Sequence, residues 1–333
     1  MKAAVLQGLG RAPRCEEFAE PTAGANEALV RVRAASLKSV DRQLASGAHY
    51  ASPKEFPVVC GTDGVGTLED GTRVFFGGAR RPFGAMAERT VVPEAFCFPV
   101  PAELSDELAA ALPNPGVSAW LTLTQRAKVA AGETVLILGA TGVTGQLAVQ
   151  IAKLLGAKRV IGAGRNARAL ARLRELGADA TIQLEAETGI SSGFASTNPE
   201  TLALVEAFRR EAGEEGFDVV VDYLWGKPTE ALLVALTKSE FAVVKKETRL
   251  VQVGESAGAT ISLPAAVLRS TALTITGTAG IPSREILADA MQQVLARGAR
   301  GELKIETERW ALADIKNGWM RPAESGRRIV VMV

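Results

Sequence analysis

Residues 134–145 read TVLILGATGVTG, and this stretch decides the fold of the chain. Its first five residues form a nearly continuous apolar run, which is typical of a strand buried in a parallel sheet. The three glycines that follow, at positions 139, 142 and 145, permit a tight turn and a close approach of the backbone to a phosphate. Apolar residues then recur at helical spacing from position 147 to 155, and Gly156 ends that helix. A strand, a glycine loop and a helix in this order predict a dinucleotide site, and a turn used only for packing is the alternative.

The same alternation continues on the C-terminal side of the loop. A second strand is predicted at 159–163, followed by a helix that Gly177 ends. Later strands are predicted at 218–221, 250–253 and 273–276. Apolar strands linked by amphipathic helices predict a doubly wound α/β domain with a parallel sheet over residues 118–280.

The N-terminal part has a different pattern. Residues 1–117 read as short strands and glycine-rich turns, which predict a β-rich domain with a small barrel or rolled sheet. Residues 281–333 contain a predicted helix at 284–297 and a terminal strand at 328–332. We expect that strand to return to the first domain, which then comprises residues 1–117 and 281–333.

Composition narrows the classes of function. The 333 residues include 38 Lys and Arg and 37 Asp and Glu, a net charge of +1, so no global field attracts nucleic acid or an anionic membrane. No apolar run approaches the roughly 18–20 residues that span a bilayer, and the first residues are too weakly apolar for a signal peptide. We therefore expect a cytoplasmic protein with a small-molecule substrate and with neither a nucleic-acid nor a membrane partner.

Cysteine and histidine are scarce. Cys15, Cys60 and Cys97 are odd in number and widely spaced, which excludes a disulfide scaffold and a four-cysteine zinc lobe. His49 is the single histidine, so sites with several histidine ligands are excluded. Any histidine base must be this residue.

The end of the second predicted strand indicates the cofactor. An NAD site usually has Asp or Glu there to bind the ribose 2′-hydroxyl. Residues 163–168 read AGRNAR, with no carboxylate and with Arg165 and Arg168 in reach. Because a guanidinium suits a 2′-phosphate, the sequence predicts NADPH rather than NADH. Arg172 and Arg174 are interpreted as part of a solvated helix face.

Several further segments resemble the medium-chain dehydrogenase/reductase superfamily, and within it the zinc-independent, ζ-crystallin-like quinone oxidoreductases. The resemblance covers essentially the whole chain. The segments that carry it, besides the glycine loop and its helix, are 35–41, 46–50, 56–66, 71–74, 84–88 and 176–179. It implies a GroES-like catalytic domain beside a Rossmann domain. The cofactor-binding residues expected from the loop, the strand ends and the resemblance are Lys38, Asn114, Ser118, Gly139, Thr141, Gly142, Val143, Thr144, Gly145, Gly164, Arg165, Arg168, Val253, Gly254 and Thr278.

The resemblance also bears on zinc. Lys38 stands where zinc-dependent relatives have Cys, Thr62 stands where they have His, and Asn114 lies near a Cys or Asp position. Lysine and threonine are poor zinc ligands, so no metal site is predicted. An improvised site from His49, Cys60 and Asp63 is conceivable on ligand type alone. Lys38 either reaches the cofactor or the substrate carbonyl, or is an exposed lysine.

Without a Lewis acid, a conjugated acceptor such as a quinone or an enone is easier to reduce than a simple ketone. The protein then has to position the reactants, exclude water and stabilise the developing enolate. Tyr50 is the candidate proton donor, because related enoyl-thioester reductases have a tyrosine in a similar loop. The alternative is that Tyr50 forms an aromatic wall. Tyr223 and Lys227 have the spacing of a short-chain dehydrogenase pair, but their turn context indicates chance.

Other functions stay open at this point. An enoyl-thioester reductase needs a basic entrance, for which Lys54, Arg80 and Arg81 are candidates. A cofactor-binding protein with little turnover has the same fold. A zinc alcohol dehydrogenase is a remote further reading. The resemblance also implies a homodimer that pairs edge strands near residues 271–278.

Overall fold

The computed structural model of the chain describes residues 1–184, 198–237, 246–278, 280, 282–322 and 324–333. The chain forms two compact units, one of Met1–Val117 with Ser283–Val333 and the other of Ser118–Pro282. Ile281, which lies at the predicted second boundary, is outside the described residues.

The elements are numbered along the chain. The strands are β1 Lys2–Leu6, β2 Arg14–Glu17, β3 Glu27–Leu37, β4 Val58–Val59, β5 Asp63–Thr67, β6 Arg73–Gly77, β7 Arg89–Pro93, β8 Cys97–Pro99, β9 Thr134–Leu138, β10 Arg159–Gly164, β11 Ala180–Gln183, β12 Val219–Asp222, β13 Thr248–Gln252, β14 Leu273–Gly277, β15 Glu306–Ala311 and β16 Arg327–Met332. The helices are α1 Ser39–Ser46, α2 Asp106–Ala111, α3 Pro113–Leu121, α4 Val143–Leu154, α5 Ala167–Glu175, α6 Pro199–Ala212, α7 Gly226–Leu236, α8 Ala265–Ser270, α9 Arg284–Ala299 and α10 Ile315–Met320. None of these described helices is long and apolar enough to cross a bilayer.

The second unit contains one parallel sheet. Its described strands lie in the order β11-β10-β9-β12-β13-β14, and every neighbouring pair is parallel. All five residues of β9 are buried, as the continuous apolar run requires for a central strand with both faces covered. The sequence order reverses between β9 and β12, so the carboxyl ends of these strands form the crevice of a doubly wound sheet. The predicted fold class is confirmed in this unit.

The first unit is β-rich. Its larger sheet follows the order β15-β16-β3-β5-β6-β8, with β7 also paired to β3, and a smaller sheet has the order β2-β1-β4. Strand β16 runs antiparallel to β3, with Ile329 opposite Leu37, so the terminal strand returns to this unit as predicted. Val30, Phe76 and Met86 are fully buried in the core between these strands.

Two helices interrupt the region that the sequence analysis assigned to strands and turns. Helix α1 begins where the Asp41 carboxylate accepts a hydrogen bond from the Lys38 backbone N–H at 2.8 Å, and it ends at Gly47, whose φ is 87°. The side chain of Ser105 accepts a hydrogen bond from the Leu108 N–H at 3.3 Å and caps α2. The capping residues can be recognised in the sequence, but each helix is too short to show a clear apolar period.

Candidate cofactor and acceptor sites

The loop between β9 and α4 is held against β10. The N–H groups of Gly139 and Ala140 both donate to the carbonyl of Ala163 at 2.9 Å, and the Gly142 N–H donates to the Gly139 carbonyl at 3.1 Å. Gly139 has a φ of 81°, a left-handed conformation that glycine adopts at little cost. Gly142 is the N-cap of α4, and no side chain caps the helix. The first backbone N–H groups of α4 are therefore available to an anion.

Two glycines are required by crowding rather than by backbone angle. A Cβ atom on Gly145 would lie 2.3 Å from the carbonyl oxygen of Gly139 and 2.6 Å from the Cα of Ala140. A Cβ atom on Gly164, at the end of β10, would lie 2.4 Å from Cγ2 of Thr141. The loop thus packs tightly on the strand and the helix beside it, which is the cradle that a dinucleotide phosphate requires. Val143 and Thr144 belong to the first turn of α4 behind this cradle.

Substitution of Gly145 tests this packing. We expect Gly145→Ala to lower the free energy of unfolding by about 1–3 kcal/mol, because the added methyl group must displace backbone atoms. Gly142→Ala is the matched control in the same loop, since its Cβ would come no closer than 3.5 Å to the Gly139 carbonyl oxygen. Urea unfolding of both variants provides the measurement, and equal midpoints for the two would contradict the crowding argument.

Two guanidinium groups lie beyond the end of β10. Arg165 and Arg168 are both exposed, and neither forms an ion pair with any residue that the structure describes. The carbonyl of Arg165 accepts a hydrogen bond from Nε2 of Gln183 at 2.6 Å, which holds the backbone at this strand end. The side chain of Asn166 caps α5 by accepting from the Ala169 N–H at 2.9 Å. The loop, α5 and the two arginines therefore offer positive charge without a described carboxylate partner.

Asp222, at the end of β12, shapes the neighbouring part of the crevice. Its Oδ1 accepts hydrogen bonds from the N–H groups of Leu224 and Trp225 at 2.8 and 2.9 Å, and Thr229 donates to its Oδ2 at 2.5 Å. Its backbone carbonyl accepts from the N–H groups of Val253 and Gly254 at 2.8 and 3.2 Å. Burial raises the pKa of this carboxyl group, and the three hydrogen bonds oppose that effect. The sequence analysis missed this role of Asp222, which depends on the Thr229 side chain of α7 and on two backbone N–H groups before that helix.

The remaining strand-end residues have simple environments. A Cβ atom on Gly254 would lie 2.7 Å from the carbonyl oxygen of Tyr223, so this glycine permits close packing of the two strand ends. Thr278 follows β14 and is exposed. Tyr223 precedes α7 whereas Lys227 lies in its first turn, so the two do not share one helix as the short-chain arrangement requires. Burial raises the pKa of the Tyr223 hydroxyl.

In the first unit, Lys38 is the centre of a buried ionic cluster. Its ammonium lies 2.8 Å from Oδ1 of Asp63 and 3.4 Å from Oδ2 of Asp41, and all three side chains are at most 8% exposed. The same ammonium donates to the carbonyl and to Oγ of Ser36 at 3.0 and 3.2 Å. Burial raises the pKa of Asp63, and the Lys38 charge opposes this shift. The interpretation of Lys38 as an exposed lysine is wrong.

This cluster does not fit a zinc ion. A lysine ammonium already occupies the space among the carboxylate and hydroxyl oxygens, and an ammonium is no metal ligand. Burial raises the pKa of the Cys60 thiol, which disfavours the thiolate that zinc binds. Over the described residues, no group of three His, Cys, Asp or Glu side chains is placed to hold a metal. The side chains of His49, Cys60 and Asp63 therefore do not form the improvised site.

The other predicted site residues lie on the loop after α1 and on α3. Tyr50 is 97% exposed on the loop after α1, where its ring stacks on His49 with centroids 4.3 Å apart. Asn114 and Ser118 lie one turn apart on α3, the first exposed and the second half-buried.

Comparison with known proteins bears on this arrangement. The model of the alcohol dehydrogenase GroES-like domain matches residues 24–102, and that of the zinc-binding dehydrogenases matches residues 143–296. The chain belongs to the medium-chain dehydrogenase/reductase superfamily, in its quinone oxidoreductase-like family. The resemblance predicted from the sequence is therefore confirmed, as are the GroES-like and Rossmann folds.

Among relatives in this superfamily, quinone oxidoreductase-like protein 2 of Bos taurus is 32% identical over 208 residues, 62% of this chain and 52% of the relative. Quinone oxidoreductase of Sus scrofa is 29% identical over 218 residues, 62% of this chain and 60% of the relative. The matched segments thus span little more than half the length of these proteins. Among solved structures, the quinone oxidoreductase of Thermus thermophilus, determined also with NADPH, is 29% identical with a TM-score of 0.77. An NAD-dependent alcohol dehydrogenase is 26% identical with a TM-score of 0.78. For both structures, the match covers 100% of this chain and 100% of the other chain.

Proposed function

We propose that this chain is a zinc-independent, NADPH-dependent oxidoreductase that reduces a quinone or an α,β-unsaturated carbonyl compound. The observation that carries the proposal is the glycine cradle of the second unit, with two exposed arginines and no carboxylate at the end of β10. The two similar structures of 29% and 26% identity differ in their cofactor, so the cofactor preference is argued from the residues of this chain.

The residues fit a dinucleotide in the following way. The uncapped N-terminus of α4 would hold the pyrophosphate, and Gly145 and Gly164 would let the phosphate come close to the backbone. Arg165 and Arg168 would bind the 2′-phosphate through charge-assisted hydrogen bonds. When bound, NADPH supplies the hydride. The residues that follow β13 and β14 would contact the cofactor mainly through backbone atoms. They are Val253, Gly254 and Thr278.

The choice of acceptor follows from the ionic cluster. Lys38 stands where zinc-dependent relatives have a metal ligand, and its ammonium contacts Asp63, so the proposed reaction has no Lewis acid to polarise the carbonyl group. A conjugated acceptor takes hydride at carbon while charge moves to oxygen, and hydrogen-bond donors suffice to stabilise that charge. Tyr50 stays a prediction as the proton donor, with the aromatic wall as the alternative, and its exposed position on a loop allows access to an acceptor.

The test is consumption of reduced nicotinamide with a panel of quinones, enones, enoyl thioesters and saturated carbonyl compounds. NADH is assayed in parallel, and each reaction is repeated after dialysis against a chelator. We expect turnover with quinones or enones, a preference for NADPH and no effect of the chelator. Turnover confined to saturated carbonyl compounds, or loss of activity that added zinc restores, would refute the proposal. Tight NADPH binding without turnover would instead favour a cofactor-binding role.

We also propose a homodimer. Strand β14 pairs only with β13 among the described strands, and its other edge leaves backbone groups free for a second copy. Size-exclusion chromatography with light scattering should give twice the 34.9 kDa mass of the chain. The Thr248 N–H of β13 donates to the Ala272 carbonyl, which turns the Thr274 N–H toward β13 and the Ile275 N–H toward the free edge. Ile275→Pro should therefore shift the mass to that of a monomer by removing an edge N–H group. A monomeric wild-type protein would refute the dimer.

A further inference from the structure

Two cavities of the first unit meet at Arg81. The inner cavity has a volume of about 270 Å³ and a mainly apolar wall that includes Val58 and Phe83. The outer cavity has a volume of about 640 Å³ and is lined by residues 50–58 together with Arg81 and its neighbour. Because Pro53, Val58 and Arg81 belong to both linings, the two cavities form one groove, with an apolar inner end and a more polar outer end.

The charge of Arg81 is not matched within this groove. Its guanidinium donates to the carbonyl of Ala51, which uses one of five N–H donors, and it forms no ion pair with a described residue. Lys54 and Glu55 also line the outer cavity, where their opposite charges offset each other. Arg80, by contrast, is paired with Glu27 at 3.0 Å and lines neither cavity.

The acidic side chain in the inner wall does not cancel Arg81. Asp41 shares the buried cluster with the Lys38 ammonium at 3.4 Å. Its Oδ1 also accepts a hydrogen bond from the Thr62 N–H at 3.1 Å. The charge of Asp41 is therefore compensated by Lys38, which leaves Arg81 as the unmatched charge of the groove.

Two hydroxyl groups of the groove walls have unmet hydrogen-bonding capacity. The Oγ1 atom of Thr62, in the inner wall, and the Oγ atom of Ser52, in the outer wall, are buried and have no partner among the described residues. Both oxygen atoms have almost no accessible surface, so neither contacts a molecule in the groove. The groove thus combines an apolar wall with one unmatched cation.

We propose that the groove binds an acceptor with an apolar body and an anionic group, and that Arg81 determines the specificity for the anion. The proposal rests on the reductase function proposed above and narrows its substrate class. The apolar body lies in the inner cavity, against Val58 and Phe83. The anionic group, a carboxylate or a phosphate, binds the guanidinium of Arg81.

Pairs of acceptors, one anionic and one neutral in each, provide the test. The members of a pair also differ in size and reactivity, so the change in their kcat/KM ratio between the wild type and Arg81→Gln is the quantity compared. The first pair is 4-oxo-4-phenyl-2-butenoate and its methyl ester. The second pair is 2-butenoyl coenzyme A and the neutral N-acetylcysteamine thioester of the same acid. We expect kcat/KM to favour the anionic member of one pair by about fivefold or more, and added salt to reduce that preference. The first pair reports a carboxylate close to the carbonyl group, and the second reports a remote phosphate.

Three variants separate the roles. Arg81→Gln should lower kcat/KM about fivefold or more for the anionic acceptor and less for the neutral one, so that the preference for the anion is lost. Thr62→Val alters the inner wall without changing the charge, so any effect on kcat/KM should be alike for both members of a pair. Lys158→Gln removes one positive charge from an exposed position of the second unit and should change nothing.

The failure of this inference differs from the failure of the proposed function. Turnover without preference in either pair, or an equal effect of Arg81→Gln on charged and neutral acceptors, would overturn the inference and leave the reductase function standing. If no acceptor is turned over, the saturated analogue 4-oxo-4-phenylbutanoate is titrated by calorimetry. Binding that Arg81→Gln weakens about fivefold or more supports the anion site, and the absence of binding or of that effect refutes it.

Discussion

Replacement of Lys38 by methionine is expected to lower the free energy of unfolding by about 3–5 kcal/mol, because it removes the ammonium that contacts two buried carboxylates. The guanidinium of Arg328 is then the cation that remains near them. Methionine preserves most of the side-chain volume, so the expected loss comes from charge rather than from a cavity. Asp63 is the residue most affected, since its only ion pair among the described residues is with Lys38 at 2.8 Å. Equilibrium urea unfolding at neutral pH gives the measurement.

The same substitution at an exposed ion pair provides the control. Lys153 contacts Asp179 at 3.1 Å with side chains 34% and 39% exposed, so Lys153→Met should cost less than about 1 kcal/mol. Adding Asp63→Asn to Lys38→Met should recover part of the loss, because the isosteric amide removes one unpaired charge. Equal losses for the two methionine variants would refute the ionic role of the cluster.

The loss at Lys38 should also depend on pH. Burial already raises the pKa of Asp63, and removal of the ammonium raises it further. A carboxyl group whose folded pKa exceeds its unfolded value binds more protons in the folded state, so stability falls as pH rises through the folded pKa. The deficit of Lys38→Met should therefore be smaller at pH 5 than at pH 8, and a deficit that grows toward acid would contradict the argument.

Arg165→Glu is expected to reverse the cofactor preference. The substitution replaces a donor to the 2′-phosphate by a carboxylate that repels it and that accepts a hydrogen bond from a ribose 2′-hydroxyl. We expect the ratio of kcat/KM for NADPH to that for NADH to fall by about thirtyfold or more, since a hydrogen bond to a charged group contributes about 1.5–3 kcal/mol. Initial rates with both cofactors and one acceptor give this ratio.

An arginine on the helix that follows Arg165 offers the matched control. Arg174 lies near the end of α5, is exposed, and undergoes the same change of charge in Arg174→Glu. If the global field of the protein decided the preference, both variants would shift the ratio alike. A ratio that Arg165→Glu leaves unchanged, or that Arg174→Glu shifts as strongly, would show that Arg165 does not bind the phosphate.

Much of the fold could be predicted from short stretches of the sequence. The apolar run of β9, the glycine loop and the helical spacing of α4 all lie within about twenty residues, and each is set by short-range backbone preferences. Strands β10, β12, β13 and β14 were predicted within a residue or two of their observed bounds for the same reason. Helices α1 and α2 were missed, because six to eight residues offer few apolar positions and their caps alone identify them.

The sequence by itself determined the superfamily, the glycine cradle and the absence of a carboxylate after β10, since each depends on residues that are neighbours along the chain. The tertiary structure alone decided that Lys38 is buried against Asp63, 25 positions away, and that Arg81 lies at the junction of two cavities. It also showed that Asp222 organises two strand ends through its side chain and its carbonyl. The physical reason is that burial and charge compensation arise from long-range packing, which residue spacing does not encode: a lysine after a strand reads the same in sequence whether its ammonium meets water or two carboxylates.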